Sequence, residues 1–260
     1  MLRWAVDAMR TSGARWAWVL AASFLLGAIW LVLVTQNITA PGPAIADDAS
    51  LPDAIFENFR AAREAFPQEL AYTLLFSLGF LAVAILGPIL RDVFGRGDPR
   101  VTRLTVLFLV AGTIGILSQV VYLGGKEVTT APYYCDCDYL APQLISRGSI
   151  LDALDGIQSW MIDAFSFLFA VGLLAAASLA RDRGWGAGFV RASQGLAVLG
   201  LASAGWDRVG VPLLVNADVH IDYYGIGQLI LAVIAGVATP LWAVLLARSL
   251  SRGEGASPAS

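Results

Sequence analysis

Along most of the chain apolar residues come in long blocks, and polar residues gather in the gaps between them. A helical block of about twenty apolar residues rises ~30 Å, the thickness of the hydrocarbon core of a bilayer. Six such blocks are legible, at about 16–35, 69–90, 104–123, 159–180, 192–215 and 225–247. The pattern predicts an all-α, polytopic integral membrane protein: a six-transmembrane-helix bundle forming one domain over residues 1–250. Residues 251–260, rich in Ser, Gly and Ala, read as a disordered cytoplasmic tail.

The gaps differ in character. The segment before Trp16 is short and basic, and Ala44-Ile45-Ala46 resembles a small-x-small cleavage site. The apolar block at 16–35 is longer than a signal-peptide core and ends well before that site, so it is read as an uncleaved first span. Residues 36–68 are expected to form a loop that carries a short extracellular amphipathic helix, DAIFENFRAAREAF, with Ile55, Phe56, Phe59, Ala62 and Phe66 on one face. Pro67 is expected to end that helix. Residues 124–150 read as a second long loop and 216–224 as a short acidic and aromatic one. The fifth block is interrupted by Trp206-Asp207-Arg208 and Pro212, and the sixth holds Pro240.

Composition sharpens this picture. The chain is 57% hydrophobic and 14% charged, with a mean hydropathy of +0.69. A soluble domain is about 25% charged. The formal net charge of −3 argues against nucleic acid as a partner. The lipid bilayer is the expected partner, with loops 36–68 and 124–150 as candidate docking sites for a protein. Basic residues are unevenly placed. Arg3, Arg10 and Arg15, then Arg91, Arg96, Arg100 and Arg103, then Arg181, Arg183 and Arg191, then Arg248 and Arg252 all lie in alternate gaps. The gaps between hold most of the acids. By the positive-inside rule both termini are cytoplasmic and the long loops lie outside, in a plasma membrane. Of the seventeen basic residues Lys126 is the single lysine, which together with the Arg-rich bias reads as genome composition of a bacterial type.

Candidate chemistry gathers at the outer end. In LDALDGIQSWMIDAFSF, Asp152, Asp155, Ser159, Asp163 and Ser166 recur at steps of three and four, one polar face of a helix whose opposite face is apolar. A carboxylate at membrane depth is costly and usually faces a protein interior or a water-filled cavity. Arg208 is the one cation expected inside a span at a similar level, with Asp163, Glu69 or its neighbour Asp207 as counter-ion. Glu69, Tyr122, Gln119, Asp155, Ser159 and Gln228 complete the candidate ligand-binding set with Asp163 and Arg208. The inner halves of the spans are almost purely apolar, which suits an outward-opening cavity rather than a continuous pore.

Cys135 and Cys137 in YYCDCDY are expected outside the cell, as a disulfide or, with Asp136 and Asp138, as weak ligands for a soft metal. One histidine, His220, excludes zinc sites that need several imidazoles and bis-His haem. No lysine is expected within a span, which excludes a retinal-type Schiff base. No Walker A, GxGxxG or GxSxG motif occurs. The cofactor is unknown. The leading expectation is a non-enzymatic membrane protein with an outward polar pocket for a small ligand or ion. The alternatives are an intramembrane metal-assisted enzyme using Asp152, Asp155, Asp163 and Glu69, and a structural subunit of a membrane complex.

The topology is directly testable. Reporter fusions after Arg100, Arg183 and the C-terminus should read cytoplasm, and fusions near Ala46, Cys135 and Asn216 should read the outside. A cytoplasmic signal at Cys135 would overturn the assignment.

Overall fold

The computed structural model describes residues 2–35, 50–95, 97–130, 141–216 and 223–253; among them there is no strand. The helices are α1 (Leu2–Thr35), α2 (Leu51–Phe94), α3 (Pro99–Thr130), α4 (Ala141–Asp182), α5 (Ala187–Gly205), α6 (Val211–Asn216), α7 (Tyr223–Val233) and α8 (Thr239–Ser251). Among the described residues five helical stretches are long and apolar enough to cross a membrane: Asp7–Thr35, Asp53–Phe94, Pro99–Glu127, Ile145–Asp182 and Leu229–Ser251. By length and composition this is a helical bundle suited to a membrane.

Neighbours in sequence pack as antiparallel neighbours in space. Trp30 of α1 donates from Nε1 to the carbonyl of Gln68 in α2 (3.0 Å), while Gly13 at the other end of α1 faces Ile89. Gly112 of α3 sits against Phe80 and Ala84 of α2, Gly172 of α4 against Phe108 of α3, and Gly200 of α5 against Ser166 and Ala170 of α4. The order α1–α2–α3–α4–α5–α8 closes back on α1.

Aromatic rings fill the centre of that ring of helices. Phe24 meets Phe76 and Phe80 edge-on, Phe80 meets Phe165 at 4.6 Å between centroids, and Phe165 stacks on Phe169 at 5.4 Å. Phe169 stands perpendicular to Trp242, which contacts Phe189; Trp185 then joins Phe189 to Phe94. Trp242 is fully buried, and its Nε1 donates to Ser193 Oγ at 2.8 Å, so its one polar atom is satisfied. The half of the bundle nearest α8 and the start of α3 is therefore packed solid, as its apolar sequence predicts.

At that same end Asp98 caps α3 by accepting from the Arg100 amide at 2.9 Å. Arg100 also bonds Asp98 and Asp182, and Arg183 lies over Phe94. The hydrogen bonds from Arg100 hold the Asp98 carboxyl below the usual carboxylate range. That contribution to stability is present above the ordinary carboxylate pKa and is lost as pH falls through the lowered value.

Several helix bounds depart from expectation. The amphipathic segment is not a separate short helix: α2 runs unbroken from Leu51 through Pro67 and Pro88 over 44 residues, about 66 Å of rise. Proline removes one backbone donor, but packing on both flanks, with Phe59 and Ala65 before Pro67 and Glu69 and Tyr72 after it buried, holds the helix through the gap. The helical character expected over DAIFENFRAAREAF is present as the first part of α2, whereas residues 141–150, read as loop, are helical, and α3 continues through Gly124 and Gly125 to Thr130. The predicted fifth span, 192–215, is a composite of α5, a π-helical turn at Trp206–Gly210 and α6. A second π-helical turn, Ile234–Ala238, joins α7 to α8.

The two π turns share a cause. In each, the residue just before a proline reaches back five positions: the Val211 amide bonds the Trp206 carbonyl ahead of Pro212, and the Thr239 amide bonds the Ile234 carbonyl ahead of Pro240. Proline has no N–H to continue the i to i−4 ladder and its ring crowds the preceding turn. Widening that turn by one residue absorbs the conflict without ending the helix.

The α2–α3 approach gives a test. A Cβ at Gly112 would stand 2.5 Å from the Phe80 carbonyl oxygen and 2.7 Å from the Ala84 nitrogen, whereas nothing lies within 4 Å of one at Gly195. Gly112→Ala should destabilise the protein by about 1–3 kcal/mol, an overpacking cost, in thermal unfolding in detergent. Gly195→Ala should be neutral or slightly stabilising.

Candidate functional site

The polar stripe of α4 and the π turn after α5 form the first cluster. Asp163 is 6% exposed, and Arg208 Nε donates to its Oδ2 at 2.5 Å. The same guanidinium donates from Nη2 to Ser159 Oγ at 3.0 Å and lies 3.8 Å over the Trp160 ring. The one-residue bulge of the π turn falls on Trp206–Gly210 and so carries Arg208. Three α4 residues thus take three aspects of one guanidinium: its charge, a donor and its flat face. Asp207 adds a second carboxylate within electrostatic reach of Asp163.

The second cluster lies between α2 and α3. Glu69, 7% exposed, accepts from Lys126 Nζ on both oxygens at 2.6 Å. The Tyr122 hydroxyl donates to Glu69 Oε2 at 3.1 Å. Tyr72 and Tyr122 hydroxyls are 2.7 Å apart, and since Tyr122 gives its proton to Glu69, Tyr72 is the donor to Tyr122. Lys126 Nζ also sits 4.8 Å from the centre of the Tyr122 ring. Asp155 of α4 lies within electrostatic reach of both Lys126 and Glu69. Gly125 permits this: a Cβ there would meet Leu154 Cδ1 at 2.9 Å, so the glycine lets α4 come close to α3 beside Lys126.

The structure thus unites Asp163, Arg208 and Ser159, and separately Glu69 and Tyr122 with Asp155 nearby. Glu69 does not share Arg208; its partner is Lys126, which stands inside the apolar stretch of α3 rather than in a loop. Lys126 thus stands beside Arg208 as a second cation paired with a buried carboxylate at this end. Gln119 is buried and donates from Nε2 to the neighbouring Ser118 Oγ at 3.3 Å, within its own helix. The Gln228 side chain, His220 and the group Cys135, Asp136, Cys137 and Asp138, with its expected disulfide or metal, lie outside the described residues. Sequence reasoning placed Tyr72 beside Glu69 at the polar end but missed Lys126 and Trp160. The spacing Gln119, Tyr122, Lys126 at steps of three and four was the available signal for the first of these.

Beside Trp160 an open groove of about 450 Å³ runs between α3 and α4, lined by Ile114, Ile157, Trp160, Met161 and Ala164. It is apolar and is not lined by the polar residues expected to bind a ligand. Among the described residues no three His, Cys, Asp or Glu side chains stand close enough to hold a metal ion. No family model, curated protein or solved structure matches the chain.

The Asp163–Arg208 contact carries a measurable signature. Arg208→Gln leaves the buried Asp163 carboxylate, and Asp163→Asn a partly exposed guanidinium, without its partner, and each should destabilise the protein by about 1–3 kcal/mol, the first more than the second. In a thermal double-mutant cycle the double variant should cost less than the sum, with a coupling of about 0.5–3 kcal/mol. Strict additivity would show that the pair contributes nothing as a pair.

Proposed function

We propose that the chain is a six-span plasma-membrane protein with both termini cytoplasmic, and that its outer polar end binds a small cation without catalysing a reaction. The placement of basic residues supports the orientation: Arg100 and Arg183 stand at the aromatic-packed end, and both ion-pair clusters stand at the other. The α5–α6 composite is the fifth span in this reading, added to the five long apolar stretches, its π turn keeping the helix continuous past Pro212.

The observation that carries the cation is an imbalance of charge. Four carboxylates, Glu69, Asp155, Asp163 and Asp207, stand against two cations, Lys126 and Arg208. Acid in excess at the edge of a low-dielectric region attracts positive charge, and half-buried walls focus that field. The aromatic core below suits binding from outside rather than passage through the bundle.

A second reading, a subunit that docks a partner protein, is favoured by a separate feature. Phe56 on α2 and Ile145 and Ile150 on α4 are 40%, 42% and 48% exposed on the polar extensions of those helices, close to the contact of Ile55 with Gly148. Apolar side chains grouped at the charge-rich ends of these helices suit a protein contact.

The cation reading is tested by thermal stability of the lipid-reconstituted protein in chlorides of sodium, potassium, ammonium, magnesium and calcium, against choline at equal ionic strength. At least one should stabilise it saturably, and Asp155→Asn should weaken that cation about tenfold, an effect of roughly 1.4 kcal/mol. Equal behaviour in all the salts would refute it.

A further inference from the structure

Lys126 is the single lysine among seventeen basic residues. Every other basic position in the chain is arginine, so the exception falls on the one cation that is tied to a buried carboxylate between α2 and α3. The site explains the choice. An ammonium is a compact point charge with three donors, while a guanidinium is a planar fork that needs room on two sides. Glu69 presents both oxygens to Lys126 Nζ at the same 2.6 Å, and the Tyr122 ring faces it at 4.8 Å. Tyr122 is fixed by its own bond to Glu69 and by the Tyr72 hydroxyl, so carboxylate and ring are held in place before any cation arrives. A carboxylate beside an aromatic face is the usual chemistry for recognising an alkylammonium head.

We propose that this is a binding site for small protonated primary amines, R–NH3+, which Lys126 occupies as a tethered competitor. The proposal rests on the cation-binding reading above and narrows its ligand to one chemical class. Exchange is feasible because Lys126 has somewhere to go. Its ammonium already acts electrostatically on Asp155, which lies across the α3–α4 seam that Gly125 keeps tight. When an external amine takes Glu69 and the Tyr122 face, Lys126 passes to Asp155, and two carboxylates then serve two ammonium groups. Lys126 also lies one turn from the end of α3, where a side chain can swing at little cost to the helix.

The test uses the full-length protein in lipid nanodiscs, with unfolding followed by tryptophan fluorescence. Lys126→Gln removes the competitor and keeps a helix-compatible side chain, and Lys126→Met is a second variant with an apolar stem in case the first does not fold. Either should be stabilised saturably by methylammonium, with Tm rising by at least about 2–4 °C. Tetramethylammonium, which has the charge but no N–H donors, should give no comparable rise at equal ionic strength. The wild type should respond to methylammonium at higher concentration, because Lys126 competes. The double variant Glu69→Gln with Lys126→Gln should not respond. Equal responses to methylammonium and tetramethylammonium, or a response that survives Glu69→Gln, would overturn the amine proposal. If potassium or calcium still stabilises the wild type in that case, the broader cation reading stands and the amine assignment alone falls. If no cation stabilises any variant, both fall.

Discussion

A charge taken out of water must be matched, and most of the arrangement at the polar end of this bundle follows from that requirement. An isolated buried carboxylate or guanidinium is unfavourable by several kcal/mol, and the penalty falls only when an opposite charge and hydrogen bonds meet it. Glu69 and Asp163 each solve the problem with one cation from a neighbouring helix, Lys126 in the first case and Arg208 in the second. The supporting residues differ because the cations differ. A point-like ammonium takes two carboxylate oxygens and a tyrosine ring, whereas a flat guanidinium takes a carboxylate, a serine hydroxyl and the face of Trp160.

These pairs are only as well placed as the helices that bear them, and the packing below sets the helices. Rings from Phe24 on α1 through Phe80 on α2 and Phe165 and Phe169 on α4 to Trp242 on α8 touch in series, and Phe108 of α3 meets both Phe169 and Trp242, so five helices are pinned to one aromatic column. Glycines make the close approaches, Gly112 against the α2 backbone and Gly125 against Leu154. The π turns do the complementary task. They let the last two helical stretches continue past Pro212 and Pro240, and the first of them aims Arg208 at α4. A rigid lower half and a polar, charge-rich upper half therefore coexist in one bundle.

The sequence made some of this legible and hid the rest for physical reasons. Asp163 with Arg208 could be read because each is a rare charge within an apolar block, and the α4 stripe repeats at helical steps. Lys126 was hidden by Gly124 and Gly125, which signal a loop on propensity but here serve close packing, so that α3 runs on past them. The same preference for local signals ended the amphipathic helix at Pro67, where burial of Glu69 and Tyr72 on the far side keeps α2 helical. The π turns were seen only as interruptions, since a proline in a run of apolar residues says that the ladder is disturbed without saying how the disturbance is absorbed. Helical bundle and membrane character follow from block length alone, whereas partner choice among the charges depends on register between helices, which no single sequence block contains.

The central claim is that the polar end holds two independent ion pairs rather than one shared network. Cross-pair thermodynamics tests it most directly, by measuring the unfolding of Glu69→Gln, Arg208→Gln and their double variant in the same lipid. The account predicts that the two costs add within about 0.3–0.5 kcal/mol, because Glu69 and Arg208 have different partners. A coupling well beyond that range, with the double variant sparing much of the sum, would mean that Arg208 serves Glu69 as well as Asp163 and would contradict the assignment of one cation to each acid.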